Sequence, residues 1–157
     1  MSVVEVTARF ACPREVVWTE LAQIERHVRW MSDAVSIDFI TPSRQGVGTS
    51  FRCKTKVGPF VTNDLMTITD WSDNTTIGVT HQGLVGGRGS FSLDGDGPST
   101  TLTWREQLTF PWWAFGPLGA ALARPVLTRL WTKNLRQLGD ILAHGETNEA
   151  VDTGRNS

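Results

Sequence analysis

Three ionisable residues, Asp64, His81 and Glu106, fall among large apolar residues at two-residue spacing. Asp64 precedes Met66 and Ile68, His81 follows Ile77 and Val79, and Glu106 lies between Trp104 and Leu108. Alternation of this kind sends every member of a set to one face of a β-strand. A carboxylate on such a face must be partnered, hydrated or protonated, because burying it alone is strongly unfavourable. A histidine near two acids can be paired with one of them or with a backbone carbonyl, the commonest fate of buried polar groups. It can equally anchor a ligand's polar group, or work with an acid as an acid/base pair.

Hairpin turns set the expected register. With residues 71–76 as a turn, Met66 lies opposite His81 and Asp64 is its diagonal neighbour, about 7 Å away between backbones. A hydrogen bond from His81 to Asp64 is then within reach. A turn centred on Gly95 to Pro98 puts Gly89 opposite Trp104 and Gly87 opposite Glu106, with His81 beside Gly89. The two glycines should leave a gap next to His81 and Glu106. Arg88 and Arg105 alternate outward and are not expected to reach these acids.

The elements that hold these residues can be read in order. Val4, Val6, Ala8 and Phe10 alternate as a first strand; Pro13 and Glu15 open a helical segment carrying Val17, Leu21, Ile24 and Val28 at helical spacing, in one helix or two. Five further strands follow, around Val35 to Phe39, Phe51 to Lys56, Phe60 to Trp71, Ile77 to His81 and Gly89 to Leu93. Asp94-Gly95-Asp96-Gly97-Pro98 is the strongest turn signal, and Thr101 to Phe110 is the seventh strand. From about Pro117 to His144, Leu127, Leu130, Trp131, Leu135, Leu138, Ile141 and Leu142 share one helical face, with Arg129, Lys133, Arg136, Gln137 and Asp140 opposite. Pro125 is expected to kink this helix or split off its first turns. The tail, residues 145–157, has few apolar side chains and is expected to be disordered, leaving residues 1–144 as one domain.

Composition narrows the function. Fifteen basic against sixteen acidic residues, without a run of like charge, argue against a nucleic-acid partner. The most apolar window, Leu108 to Leu127, is interrupted by Pro111, Gly116, Pro117, Gly119, Arg124 and Pro125, which excludes a membrane span there. No signal peptide is evident, so a cytoplasmic location is expected. Cys12 and Cys53 read as free thiols. No phosphate loop, GxSxG, HExxH or CxxC motif occurs, and His27, His81 and His144 are too scattered to form a metal site, so no cofactor is expected.

The segment Cys12-Pro13-Arg14-Glu15-Val16-Val17-Trp18, the run Val28-Arg29-Trp30-Met31, the glycine-bounded Gly46-Val47-Gly48-Thr49 and the pair Asp70-Trp71 occur in an order that resembles the START-like superfamily, in particular its polyketide cyclase/dehydrase and lipid transport branch. The likeness spans Val3 to about His144. It implies an α+β helix-grip fold: a seven-stranded antiparallel sheet curved around a long C-terminal helix, with short helices after the first strand. Family members commonly carry Ser or Asp at the helix N-cap where this chain has Cys12, a loss of about 1 kcal/mol.

The resemblance also implies an apolar cavity opening near the start of the long helix. On the phase above, its walls are expected from Trp18, Trp30, Met31, Phe51, Cys53, Asp64, Met66, His81, Gly89, Phe91, Trp104, Glu106, Leu122, Leu127 and Trp131, although Trp18, Trp30 and Met31 also suit core packing. Trp112, Trp113 and Phe115 are expected at the mouth, as a gate, a dimer contact, a membrane-touching tip or a plug. The partner expected is a hydrophobic small molecule, lipid- or polyketide-like, held by a monomer or homodimer without stable membrane insertion. Two alternatives remain: a cyclase/dehydrase-type enzyme with His81 and Glu106, and candidate Asp64, as acid and base, or a ligand-free protein that docks through Trp112 to Phe115.

Overall fold

The computed structural model describes residues 2–95, 97–110 and 116–153. Seven strands form one antiparallel sheet: β1 (Ser2–Phe10), β2 (Ala34–Phe39), β3 (Ser50–Val57), β4 (Phe60–Ser72), β5 (Thr76–Gln82), β6 (Gly86–Asp94) and β7 (Thr100–Thr109). Their order across the sheet is β1-β7-β6-β5-β4-β3-β2, so each strand after β2 pairs with its predecessor and β1 closes onto β7. Helix α1 (Arg14–Leu21) and a 3-10 turn (Ile24–Arg29) follow β1, and the long helix α2 (Gly116–Thr153) ends the described chain. This is the helix-grip α+β fold.

Period-two sequence becomes half-buried strand throughout. Val4, Val6 and Phe10 of β1 are buried, as are Leu102, Trp104, Glu106 and Leu108 of β7, while Glu5, Thr7 and Arg9 of β1 and Thr101, Thr103, Arg105, Gln107 and Thr109 of β7, on the other face, are more exposed. On α2, Trp131, Leu135, Leu138 and Leu142 are buried at helical spacing, and α2 lies against β1, β7 and α1. Burial of a leucine such as Leu138 contributes about 2–3 kcal/mol. Phe10 rests on Gly139, where an added Cβ would come within 3.3 Å of the phenyl ring.

Several expectations change. Helix α1 starts one residue late, with Pro13 rather than Cys12 in the capping position and no side-chain cap. Cys12 is buried instead, and its carbonyl accepts a hydrogen bond from Thr100 Oγ1 at 2.8 Å. The helical segment breaks at Ala22 and Gln23, giving the second of the two forms foreseen. Pro125 does not split α2, which is helical on both sides of it. Helix α2 runs from Gly116 to Thr153.

The last hairpin is also displaced. Asp94 pairs with Thr101, so the turn is centred between Gly97 and Pro98, one residue later than expected. One residue at the turn moves each partner by two and keeps the face. Gly89 therefore faces Glu106, Phe91 faces Trp104 and Gly87 faces Leu108. On the other side of β6, His81 faces Gly87 rather than Gly89, because the β5-β6 turn is centred one residue earlier than expected, while Met66 lies opposite His81 as expected.

Candidate functional site

A cavity of about 460 Å³ lies between the concave face of the sheet and α2. Its wall is mainly apolar, from Ile37, Phe51, Met66, Val79, Phe91, Leu108, Leu127 and Trp131, and this volume is that of a small-molecule site. Phe60 and Leu84 line it yet are 73% and 47% exposed, and Gly119 and Ala123 line it from the first turns of α2. The opening is thus bounded by the β3-β4 and β5-β6 hairpin tips and the start of α2. Trp112, Trp113 and Phe115, expected at this mouth, lie outside the described residues.

The polar groups are concentrated on the sheet side. Nε2 of His81 lies 2.9 Å from Oε2 of Glu106. The oxygen sits off the axis of the ring N–H, so the contact is a close ion pair without an aligned hydrogen bond. The other oxygen of Glu106 accepts a hydrogen bond from Trp104 Nε1 at 2.9 Å. Trp104 in turn stacks on Trp131 of α2, with ring centroids 4.8 Å apart and planes 20° from parallel. Glu106 is therefore aimed by a ring that is itself clamped by the helix.

Glycine makes this geometry possible. A Cβ on Gly89 would collide with the carboxylate of Glu106. The gap expected from the two glycines of β6 is thus occupied by the acid itself. Gly83 serves Asp64 in the same way, since a Cβ there would collide with its carboxylate. Asp64 is 7% exposed, accepts a hydrogen bond from Thr62 Oγ1 at 2.9 Å through Oδ2, and has no partner for Oδ1. The expected bond from His81 to Asp64 is absent. With glycine at positions 87 and 89, the imidazole has a clear path across β6 to Glu106 instead.

Burial opposes the charge on His81, but the hydrogen-bonding proximity and charge of Glu106, with the more distant charge of Asp64, outweigh it and raise its pKa above the ordinary 6.5. Burial pushes the thiol of Cys53 up, opposed by its contact with the Thr55 hydroxyl and reinforced by the charges of Asp33 and Asp64.

The expected cavity residues Met31, Phe51, Cys53, Asp64, Met66, His81, Gly89, Phe91, Trp104, Glu106, Leu127 and Trp131 all line the space. Trp18, Trp30 and Leu122 do not. Trp18 turns to Trp71, edge to face at 5.2 Å. Trp30 is wholly buried behind the wall, edge-on to both Phe91 and Trp104. Leu122 is 67% exposed: it shares an outer face with the exposed Leu118 and Val126, while Gly119 and Ala123 of the same turns face the cavity. Arg88 and Arg105 face outward as expected, and Arg105 meets Glu5 at 3.6 Å on the surface.

Two features escaped the sequence reading. His27 lines the cavity; its Nε2–H donates to the Leu21 carbonyl at 2.7 Å and its ring packs on Trp30. Burial lowers its pKa to about 4, against a raising effect of the Leu21 bond and Glu25, so it is neutral near pH 7. Asn134 is wholly buried on α2, where Oδ1 accepts from Ser32 N and Oγ at 3.0 and 2.7 Å and Nδ2 donates to Asp33 Oδ1 at 2.6 Å. The signal for Asn134 was present: an amide on the stripe of Trp131, Leu135 and Leu138 needs buried partners.

The polyketide cyclase / dehydrase and lipid transport family model matches residues 1–143. A comparison with functionally curated proteins gave no match. Among solved structures, TTHA0849 from Thermus thermophilus is similar at 15% identity over 92% of this chain and 99% of its own, with a TM-score of 0.76. The Zhui aromatase/cyclase from Streptomyces sp. R1128 is similar at 18% identity over 96% of this chain and 95% of its own, with a TM-score of 0.68. XoxI from Bacillus cereus is similar at 10% identity over 93% of this chain and 99% of its own, with a TM-score of 0.71. At these identities the structural likeness speaks to the fold, and the family match over nearly the whole chain speaks to descent: this chain belongs to the polyketide cyclase/dehydrase and lipid transport family of START-like proteins.

Proposed function

We propose that this protein binds a hydrophobic small molecule, lipid- or polyketide-like, in the space between α2 and the sheet. The observation that carries the reading is the cavity of about 460 Å³, apolar over most of its wall, with its polar groups gathered beside His81. An apolar wall favours burial of a hydrophobic ligand, and a small polar patch can fix its orientation. The family's description as cyclases, dehydrases and lipid carriers supports the same class of ligand. Trp104 and Trp131 line the cavity, so occupancy should quench or shift tryptophan fluorescence. Titration with sterols, long-chain alcohols and aromatic polyketides tests this; absence of any change across the panel contradicts it.

A second reading has its own observation. The contact of 2.9 Å between His81 and Glu106 at the cavity wall, with the histidine's pKa raised, supports proton transfer next to a ligand carbonyl. Similarity to an aromatase/cyclase supports the class of reaction. On this reading His81→Ala and Glu106→Gln abolish turnover of a polyketide-like substrate while binding persists; unchanged turnover in both contradicts it.

A further inference from the structure

The cavity's charge is one-sided. Among the described residues that line it are three carboxylates, Asp33, Asp64 and Glu106, and no lysine or arginine. Arg52, Lys54 and Lys56 on β3, Arg88 and Arg105 on β6 and β7, and Arg29 and Arg124 all lie within two residues of lining positions but are exposed, and Arg26, beside His27, is paired with Glu20 at 3.1 Å. His81 is the cation available on the wall, and it is committed to Glu106 at 2.9 Å. Asp33 is satisfied by Asn134. Asp64 is not: it is 7% exposed, and its Oδ1 is buried without a partner. His27 adds a second acceptor, because its Nε2–H is used by the Leu21 carbonyl and Nδ1 is left with a lone pair.

We infer that the ligand's polar end is a hydrogen-bond donor, a hydroxyl or a protonated amine, and that the cavity rejects carboxylates. This rests on the proposed hydrophobic-ligand reading and narrows it. A carboxylate entering the site would face Asp64 and Glu106 across a poorly screened interior without a free cation to meet it. A hydroxyl or ammonium instead brings a donor to the wall that carries Asp64 and Glu106. The apolar part of the ligand would lie along Phe51, Met66, Phe91 and Leu127.

The test uses three probes of one shape: 2-naphthylmethylamine, 2-naphthylmethanol and 2-naphthoate, titrated calorimetrically into the full chain at about pH 7, where amine and acid are charged. The amine and alcohol are expected to bind at least about tenfold more tightly than the carboxylate. Asp64→Asn keeps an acceptor for Thr62 and should reduce the amine's advantage; Glu106→Gln provides a second route to the same readout should the first variant fold poorly. Carboxylate binding as tight as that of the alcohol overturns the inference and leaves the hydrophobic-ligand reading standing. A ranking unchanged in both variants overturns the assignment to these acids. Failure of all three probes, together with the sterol and polyketide panel, overturns the reading and the inference together.

Discussion

His81 on β5 reaches Glu106 on β7, 2.9 Å away, across a strand that places glycine at positions 87 and 89. The pair spans two strand spacings because β6 offers no side chain in between. Trp104 holds the far side of the carboxylate, and α2 holds Trp104. The site is therefore coupled to the sheet through an absence of side chains and to the helix through a stack of indoles.

The first prediction concerns Gly89. Its Cβ position is taken by the Glu106 carboxylate, so Gly89→Ala must push the acid off both His81 and Trp104. A destabilisation of about 1–3 kcal/mol is expected in urea unfolding, with a fall in the His81 pKa seen by NMR titration. A variant that keeps both stability and the His81 titration contradicts the cradle.

The second is pH dependence through His81. Its pKa is raised in the folded state, since Glu106 and Asp64 together outweigh burial. The stabilisation it contributes is therefore fully present below the unfolded value of about 6.5 and is lost as pH rises through the folded value. Glu106→Gln should cost most on the acid side of this window and least above it. Stability curves for both proteins from mildly acidic to alkaline pH check this, and a difference that grows with rising pH contradicts it.

His27 works in the opposite direction. Its pKa is lowered to about 4 by burial, so the unfolded chain takes up a proton that the folded chain refuses as pH falls from about 6.5 towards that value. Up to about 3 kcal/mol of stability should be lost across that interval. His27→Gln keeps a donor for the Leu21 carbonyl but does not titrate, so its acid destabilisation should be smaller than that of the natural chain. Equal acid slopes contradict the account.

Asn134 joins α2 to the segment between the 3-10 turn and β2 through Ser32 and Asp33. Asn134→Ala should lower stability by about 2–4 kcal/mol, because it strands a backbone N–H and a carboxylate as well as leaving a void. Thermal melts of the variant measure this directly; a change below about 0.5 kcal/mol is the result of a merely exposed residue.

Much of this arrangement is legible in the chain itself. The two-residue alternation around Glu106 and the helical spacing from Leu127 to Leu142 determine which faces meet, and both survive in the fold. What was not legible depends on distances between elements. The turn after β6 contains two glycines and a proline, so its centre is ambiguous by one residue, and that ambiguity moved Glu106 from Gly87 to Gly89. The β5-β6 turn is displaced as well, since His81 faces Gly87 where Gly89 was expected, and the two displacements together leave His81 diagonal to Glu106 across β6. Trp30 and Trp18 are as apolar as any cavity residue, and only the packing of the 3-10 turn and Trp71 shows them behind the wall. Leu122 falls with Leu118 and Val126 on the outer side of turns whose Gly119 and Ala123 face the cavity, so its size and apolarity alone mislead.

The central claim is that the space between α2 and the sheet is a ligand site. Native mass spectrometry of protein purified without refolding tests it most directly, alongside a Cys53→Trp variant whose indole would project into that space. The account predicts a species heavier by one small molecule in the natural chain and its loss in the variant. Bare polypeptide mass for the natural chain, or an adduct retained equally by both, would contradict it.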